Sequence, residues 1–314
     1  MEVSYTAPLR AAWARMKQTL FARPFPIEAW FVIGFSAWLA DIFANMGGGF
    51  GSSWRDRDLK HLGGVRHVDD WALQPAVLTA FAAVLCLVLV VVLVLSWVSA
   101  RAQFVFLDNV VHGRAAFTAP WKRSGRLGRS LFLWYAGMSF TWLVPLACVL
   151  LPAAPYLRQL AIGASPFEPA AGTVSAGFVA GLLAAVALAV VLTVVYSLND
   201  NFVIPLMWKY DEGALAAWRR FGPLLWAHLG DFGAFVVFAL LLLVVAFVTV
   251  VLGGLLTCCV GLVLAAIPYV GIVLMLPIYF AFRALGPEFL RQYGPEWDVW
   301  APNAAHAGDQ PPPA

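Results

Sequence analysis

The stretch from Phe232 to Phe282 contains no Asp, Glu, Lys or Arg over 51 residues. A helix needs about 20 apolar residues to cross the hydrocarbon core of a bilayer, so this stretch is long enough for two helices. In water, a contiguous apolar surface of that size promotes aggregation. The stretch therefore predicts a hairpin of two transmembrane helices, with Gly253, Gly254 and Gly261 supplying the turn between them.

Three further uncharged stretches, 71–100, 130–157 and 169–199, each predict one more span. The segment Ile27–Met46 is apolar and aromatic but carries Glu28 and Asp41, and we predict a first span there. The composition agrees, with 62% apolar and 12% charged residues, against about 45–50% and about 25% in soluble domains. We expect an all-α polytopic membrane protein with one domain, 1–301, and a disordered tail, 302–314. The six predicted spans are about 25–46, 74–100, 130–151, 174–198, 232–252 and 259–282.

The Lys and Arg residues favour one side of the predicted bundle. With six spans, the N-terminus and the even-numbered connections share a side, and that side carries fifteen of the 20 basic residues. The opposite side carries the other five, which are Arg55, Arg57, Lys60, Arg66 and Arg158. Loops rich in Lys and Arg remain in the cytoplasm. We therefore expect both termini to be cytoplasmic, in a bacterial inner (plasma) membrane.

A short motif, A-x-W-x-R, recurs three times, each time shortly before a predicted outgoing span. Its copies are Ala11–Arg15, Ala119–Arg123 and Ala216–Arg220, at spacings of 108 and 97 residues. Self-similarity at corresponding positions is typical of repeat architectures. The motif predicts a threefold repeat of an interfacial helix followed by a transmembrane hairpin.

The first and third motif segments have an amphipathic pattern. In the first, Leu9, Trp13, Met16 and Leu20 share one helical face. A helix with Trp on one face and basic residues on the other lies flat among lipid headgroups. Such helices either only anchor the bundle or also bind lipid or a partner specifically, and both interpretations stay open. The candidate headgroup contacts are Trp13, Arg15, Trp121, Lys122, Arg123, Trp218, Arg219 and Arg220.

A second candidate site is polar and lies at predicted membrane boundaries. Ionisable residues inside a membrane are costly and often functional. Asn199, Asp200 and Asn201 form the densest polar group at such a boundary, where they would bind a cation, cap a helix or simply make interfacial hydrogen bonds. Asp41 is the acidic residue expected to lie deepest, and either pairing with an outer arginine or a transport role would account for it.

Motifs of common catalytic sites are missing from the sequence. It contains no G-x-S-x-G, H-E-x-x-H, P-loop or Rossmann glycine pattern. The four cysteines lie in or beside apolar runs without metal-ligand spacing, so we expect buried apolar side chains rather than a metal site. These cysteines are Cys86, Cys148, Cys258 and Cys259. We expect no cofactor, no nucleic-acid partner and no enzymatic activity.

The C-terminal part carries a distinctive series of motifs, Cys258-Cys259, Pro268–Gly271, Leu276-Pro277 and Gly294–Asp298. The series resembles the ending of a group of uncharacterised bacterial six-helix membrane proteins. More distantly, the whole layout resembles the membrane domain attached to some glycerophosphodiester phosphodiesterases. The resemblance implies a helical membrane fold and no known activity. We expect no phosphodiesterase activity, since the chain contains no soluble phosphodiesterase domain.

Taken together, these features favour a non-enzymatic membrane scaffold, or a module that binds lipid or a protein partner. Its expected partners are the bilayer, anionic lipids and another membrane protein. A first alternative is a carrier of a small or lipid-like solute, which would use the proline-bearing last helix and Asp200. A second alternative is a membrane enzyme that acts on lipids.

Overall fold

The computed structural model describes residues 3–22, 26–42, 75–161, 171–257 and 260–301, and all regular structure in these ranges is helical. In chain order the elements are α1 (Thr6–Leu20), α2 (Ile27–Ala40), α3 (Pro75–His112), α4 (Thr118–Arg123), α5 (Gly125–Thr141), α6 (Leu143–Ala161), α7 (Ala171–Leu198), a π-helix (Asn199–Val203), α8 (Ile204–Tyr210), α9 (Ala214–Ala227), α10 (Leu229–Leu256), α11 (Val260–Ala266), α12 (Pro268–Leu290) and 3₁₀ turns at Arg291–Tyr293 and Pro295–Trp297. Cys258, Cys259 and the tail predicted to be disordered lie outside the described residues.

Five helical stretches are long and apolar enough to cross a membrane. Within the described ranges they are Thr79–His112, Gly125–Ala154, Gly177–Tyr210, Leu229–Leu256 and Tyr269–Tyr293. Their apolar surfaces are largely exposed, and in α3 every residue from Thr79 to Val94 is exposed. Apolar surface of this extent is stable only against lipid or other apolar partners. The chain is therefore a helical membrane protein.

The first predicted span differs from the other five. Helix α2 has 14 residues, so it is about 21 Å long, while the hydrocarbon core is about 30 Å thick. The helix ends beside α3, where the carbonyl oxygen of Ala40 accepts hydrogen bonds from Ser99 Oγ at 2.6 Å and Gln103 Nε2 at 3.2 Å. The structure thus contains five helices of spanning length among the described residues, where the sequence predicted six.

Two helices extend beyond the ends predicted for their spans. Helix α6 continues to Ala161, ten residues past the predicted end of the third span at 151. Helix α10 passes through Gly253 and Gly254, and the turn falls after Leu256. Glycine and proline interrupt helices in water more strongly than in membranes, where neighbouring groups satisfy the freed backbone. Their positions were therefore weak markers of these turns.

The buried core consists of two adjoining clusters. The first is aromatic, with the Phe202 ring centroid 4.9 Å from that of Phe235, which lies 4.6 Å from that of Phe289. The second packs α1 and α2 against α3 and α12, around Met16 and Phe280. Burial of each such side chain contributes about 1.5–3 kcal/mol. We call the region of these two cores the head, and the exposed apolar stretches 79–98, 143–154, 177–197 and 236–256 the shafts.

Candidate functional site at the π-helix

The helix that carries the predicted polar triplet changes its winding at the triplet. Helix α7 ends at Leu198, and Asn199–Val203 forms a π-helix before α8 begins. Short π-helices inside longer helices are rare and are frequently found at functional sites. Asn199, Asp200 and Asn201 are its first three residues, so the polar group lies where the shaft of α7 enters the head.

Asn199 and Asp200 join the π-helix to two neighbouring helices. The Tyr135 hydroxyl of α5 donates a hydrogen bond to Asp200 Oδ1 at 2.8 Å. Trp218 Nε1 of α9 donates to Asn199 Oδ1 at 3.2 Å, and Asn199 is fully buried. Asn201 instead donates to the carbonyl oxygen of Ser197, within its own helix, at 2.8 Å. Two of the three triplet side chains therefore connect helices.

Arg283 of α12 supplies a positive charge to the same place. Its Nη1 donates to the carbonyl oxygen of Asp200 at 3.3 Å, and its Nη2 donates to that of Gln103 at 3.1 Å. Its Nε is buried without a hydrogen-bond partner. Both Asp200 and Asp41 interact electrostatically with this guanidinium. We call Asp41, Asp200 and Arg283 the charged cluster.

Asp41 joins this cluster because α2 ends against α3 and α12. The backbone N–H of Asp41 closes the last turn of α2 on the carbonyl oxygen of Ala37 at 3.0 Å. Its carboxylate is close enough to interact with both Asp200 and Arg283. The carboxylate of Asp41 therefore lies within electrostatic range of Asp200 in the triplet. Of the outer arginines considered as its partner, Arg55, Arg57 and Arg66 lie outside the described residues.

Three of the eight candidate headgroup residues are partly buried and contribute to packing within the head. Arg15 Nε donates to the buried carboxylate of Glu288 at 2.5 Å, and its guanidinium lies 3.7 Å from the Trp300 ring centroid. The carbonyl oxygen of Trp121 accepts hydrogen bonds from Arg101, whose guanidinium lies 4.6 Å from the Trp121 ring centroid. The third is Trp218, bonded to the π-helix as described above. The contacts made by these three residues stabilise the packing of the short helices.

The other five headgroup candidates, Trp13, Lys122, Arg123, Arg219 and Arg220, are exposed. Arg220 also bonds to Glu212 at 2.5 Å, which raises the pKa of its guanidinium above the ordinary value and keeps it charged.

The apolar face predicted for α1 is only partly covered by protein. Met16 and Leu20 are buried, and Ala12 is buried with them, while Trp13 is 44% exposed. Small residues such as Ala12 allow close approach of another helix. The buried face is therefore rotated by about one residue from the face that hydrophobicity indicates.

Comparison with known proteins places the chain in a family. A family model matches residues 5–290. The chain belongs to the DUF7544 family. This is a family of unknown function, so membership agrees with the expected likeness to an uncharacterised family and assigns no activity. The likeness to phosphodiesterase membrane domains stays a prediction. No curated protein and no solved structure matches the chain.

The matched region contains the whole charged cluster. Sequence reasoning had identified Asp41 and Asp200 but had counted Arg283 only as a basic residue at a helix end. One signal was available, because Arg283 directly follows the 51-residue uncharged stretch. No comparable signal marked Tyr135 or Gln103. Among the described residues, no three His, Cys, Asp or Glu side chains gather where they could hold a metal ion.

Proposed function

We propose that this chain is a non-enzymatic membrane module that binds anionic lipids at the cytoplasmic face of a bacterial inner membrane. The observation that carries this proposal is the set of exposed basic side chains on short helices of the head, next to exposed apolar shafts. On α9, Ala214, Ala217 and Phe221 are buried, while Arg219 is exposed. Each Lys or Arg near an anionic leaflet contributes about 1 kcal/mol to membrane attraction.

The exposed basic residues of the head form what we call the basic rim. Outside α1, three of its members, Lys122, Arg129 and Arg219, have no carboxylate partner among the described contacts. Their charges are therefore available to phosphate groups, which bind ammonium and guanidinium groups through charge-assisted hydrogen bonds.

The first test measures which lipids stay with the protein. Purified in native membrane lipid, the wild type should be enriched in anionic over zwitterionic phospholipid relative to the bulk membrane, as measured by mass spectrometry. The triple variant K122Q/R129Q/R219Q should lose most of this enrichment, because about 1 kcal/mol per charge corresponds to roughly fivefold in binding each. The charge-preserving variant K122R/R129K/R219K is the control. Bulk-like lipid around the wild type would contradict the proposal.

The proposed membrane arrangement has six passages and both termini in the cytoplasm. It is supported by a contact between the two ends of the described chain. Ser4 N donates to Gln292 Oε1 at 2.9 Å, and Gln292 Nε2 donates to the Ser4 carbonyl oxygen at 2.9 Å. An odd number of passages would separate these residues across the membrane. The five spanning helices therefore require one further passage if both termini are to lie on the same side.

The proposed threefold repeat is supported by similar contacts of the motif tryptophans. Trp121 accepts a hydrogen bond at its carbonyl oxygen from Arg101, 20 residues earlier. Trp218 donates one to Asn199, 19 residues earlier. In each case the motif of one unit contacts the returning helix of the preceding unit. Such equivalence is expected when each repeat packs against its neighbour.

A carrier of a small or lipid-like solute is the second candidate function. The charged cluster favours it, since transporters bind substrates and ions where membrane helices depart from α-helical winding. Asp200 combines an ionisable side chain with a π-helix, and Arg283 leaves one buried N–H without a partner. The variants of this cluster treated in the Discussion also test this candidate.

A further inference from the structure

A groove of about 450 Å³ lies between α1, α10 and α12. Its walls come from the shaft of α10 and from the facing side of α12. They consist of Leu242, Val245, Ala246 and Thr249 on α10 and Ile278, Ala281, Phe282 and Leu285 on α12. The Thr249 hydroxyl donates to the carbonyl oxygen of Val245 at 2.7 Å, so it needs no other partner. The walls therefore offer apolar surface only.

Helix α1 closes one side of the groove and adds its single charge. Leu9, Arg10 and Trp13 line it from α1. Arg10 and Trp13 are exposed, and one turn further along the same face Lys17 is exposed as well, with its Nζ 6.0 Å from the Trp13 ring centroid. Residues three and four apart are neighbours on a helix surface. A cation, an indole ring and a second cation thus follow one another beside the apolar walls.

We infer that this groove binds one acyl chain of an anionic glycerophospholipid, whose phosphate contacts Arg10 and Lys17. The inference rests on the proposed function and deepens it by naming one ligand and one site. Only an amphipathic molecule satisfies both the apolar walls and the adjacent cations. A Trp between charged and apolar surfaces suits the boundary between headgroup and hydrocarbon.

The size of the groove favours a lipid chain over a helix of a protein partner. A helix with its side chains is about 10–12 Å wide, and a cylinder of that width fills 450 Å³ in about one turn. One turn offers too little contact for stable docking. A volume of this size is instead within the range of about 300–1,000 Å³ that is usual for sites of small ligands.

The test measures phosphatidylglycerol binding to the detergent-solubilised full chain by native mass spectrometry. The wild type should retain one phosphatidylglycerol more tightly than any further molecule. Ala246→Trp should fill the groove and weaken that first binding at least tenfold, whereas Ala180→Trp, on the exposed surface of α7, should leave it unchanged. Arg10→Gln with Lys17→Gln should weaken it roughly tenfold or more.

A measurement on the wild-type protein tests the inference even if the variants misfold. Photoactivatable phosphatidylglycerol, with a diazirine on its acyl chain, should label the α10 and α12 residues of the groove in the wild type. Labelling spread evenly over the shafts would overturn the inference. The inference would also be overturned if Ala246→Trp bound phosphatidylglycerol as tightly as the wild type does. The proposed function would still stand in that case, provided that K122Q/R129Q/R219Q had lost its anionic lipid. Absence of any retained phosphatidylglycerol would overturn both.

Discussion

Replacing Gly286 by alanine is expected to destabilise the folded protein by about 1–3 kcal/mol, the usual range for overpacking. Gly286 lies where α12 crosses the π-helix, and a Cβ there would overlap the carbonyl oxygen of Asn201 and lie 2.8 Å from its carbonyl carbon. The obstacle is backbone, so no side-chain rotation can relieve it. The helices must therefore separate, which would break the hydrogen bonds that Arg283 donates to the backbone of Asp200 and Gln103. The measurement is the thermal unfolding midpoint in detergent, which should fall.

Gly233→Ala is the matched control for this substitution. Gly233 lies in α10, and a Cβ there would have no neighbour within 4 Å. Alanine is more stable than glycine inside a helix by about 0.5–1 kcal/mol, so the midpoint should stay or rise. If the two variants unfolded at the same temperature, the close approach of α12 to the π-helix would be wrong.

Replacing Arg283 by methionine should cost about 3 kcal/mol of folding free energy, since hydrogen bonds to charged groups contribute about 1.5–3 kcal/mol each. The variant leaves Asp41 and Asp200 without their shared cation. It also removes two donors that bridge the backbones of Asp200 and Gln103. Arg129→Met, at an exposed position, is the control and should change stability by less than about 0.5 kcal/mol.

The variant Asp200→Asn distinguishes the effect of lost charge from the effect of lost packing in Arg283→Met. Removing the carboxylate should make the loss of Arg283 less harmful, so the double variant should be more stable than the sum of the single effects predicts. Strict additivity of the two single effects would show that Arg283 and Asp200 do not interact.

The same folded Asp200→Asn protein, in proteoliposomes, tests the proposal that the protein is a carrier. If the wild type moved fluorescent lipid across the bilayer and Asp200→Asn did not, the carrier would be favoured over the lipid-binding module.

The helices of the shafts could be predicted, because a helix that crosses lipid needs about 20 consecutive apolar residues. The stretch Phe232–Phe282 contains most of α10, all of α11 and most of α12, since any charge within it would have to be buried in hydrocarbon. The polar triplet was also found in the sequence, because three polar residues at the end of such a stretch need partners. Its π-helical winding was not, since Asn and Asp carry no signal that distinguishes a π-helix from an α-helix.

Which residues meet inside the head was harder to predict. Asp41, Asp200 and Arg283 are far apart in the chain, and periodicity shows which face of a helix is apolar but not which helix covers it. Hydrophobicity grouped Trp13 with Met16 and Leu20 on one face of α1, yet Ala12 is the residue buried beside them, because its small side chain fits against α12. Arg15 was expected at the headgroups because it ends the first A-x-W-x-R motif. A carboxylate 273 residues away, that of Glu288, holds it in the head.

The first predicted span shows why apolar composition alone does not distinguish a helix that faces lipid from one that faces protein. Helix α2 was predicted to span because it is apolar, but its 14 residues pack with Ile33 and Ala37 in the head. A helix buried by protein and a helix buried by lipid have the same composition. Length decides between them, and the uncertain boundary of an apolar segment with Glu28 at its start gave no reliable length.

Reporter fusions measure the side of the membrane on which each part of the chain lies. The six-passage arrangement predicts that a reporter active only in the cytoplasm will be active at both termini and after Arg220, and silent after Gly172, at the start of α7. Its positions follow from the Ser4–Gln292 contact and from the fifteen basic residues on one side. A cytoplasmic signal after Gly172, or termini on opposite sides, would contradict this arrangement and the lipid-binding face that depends on it.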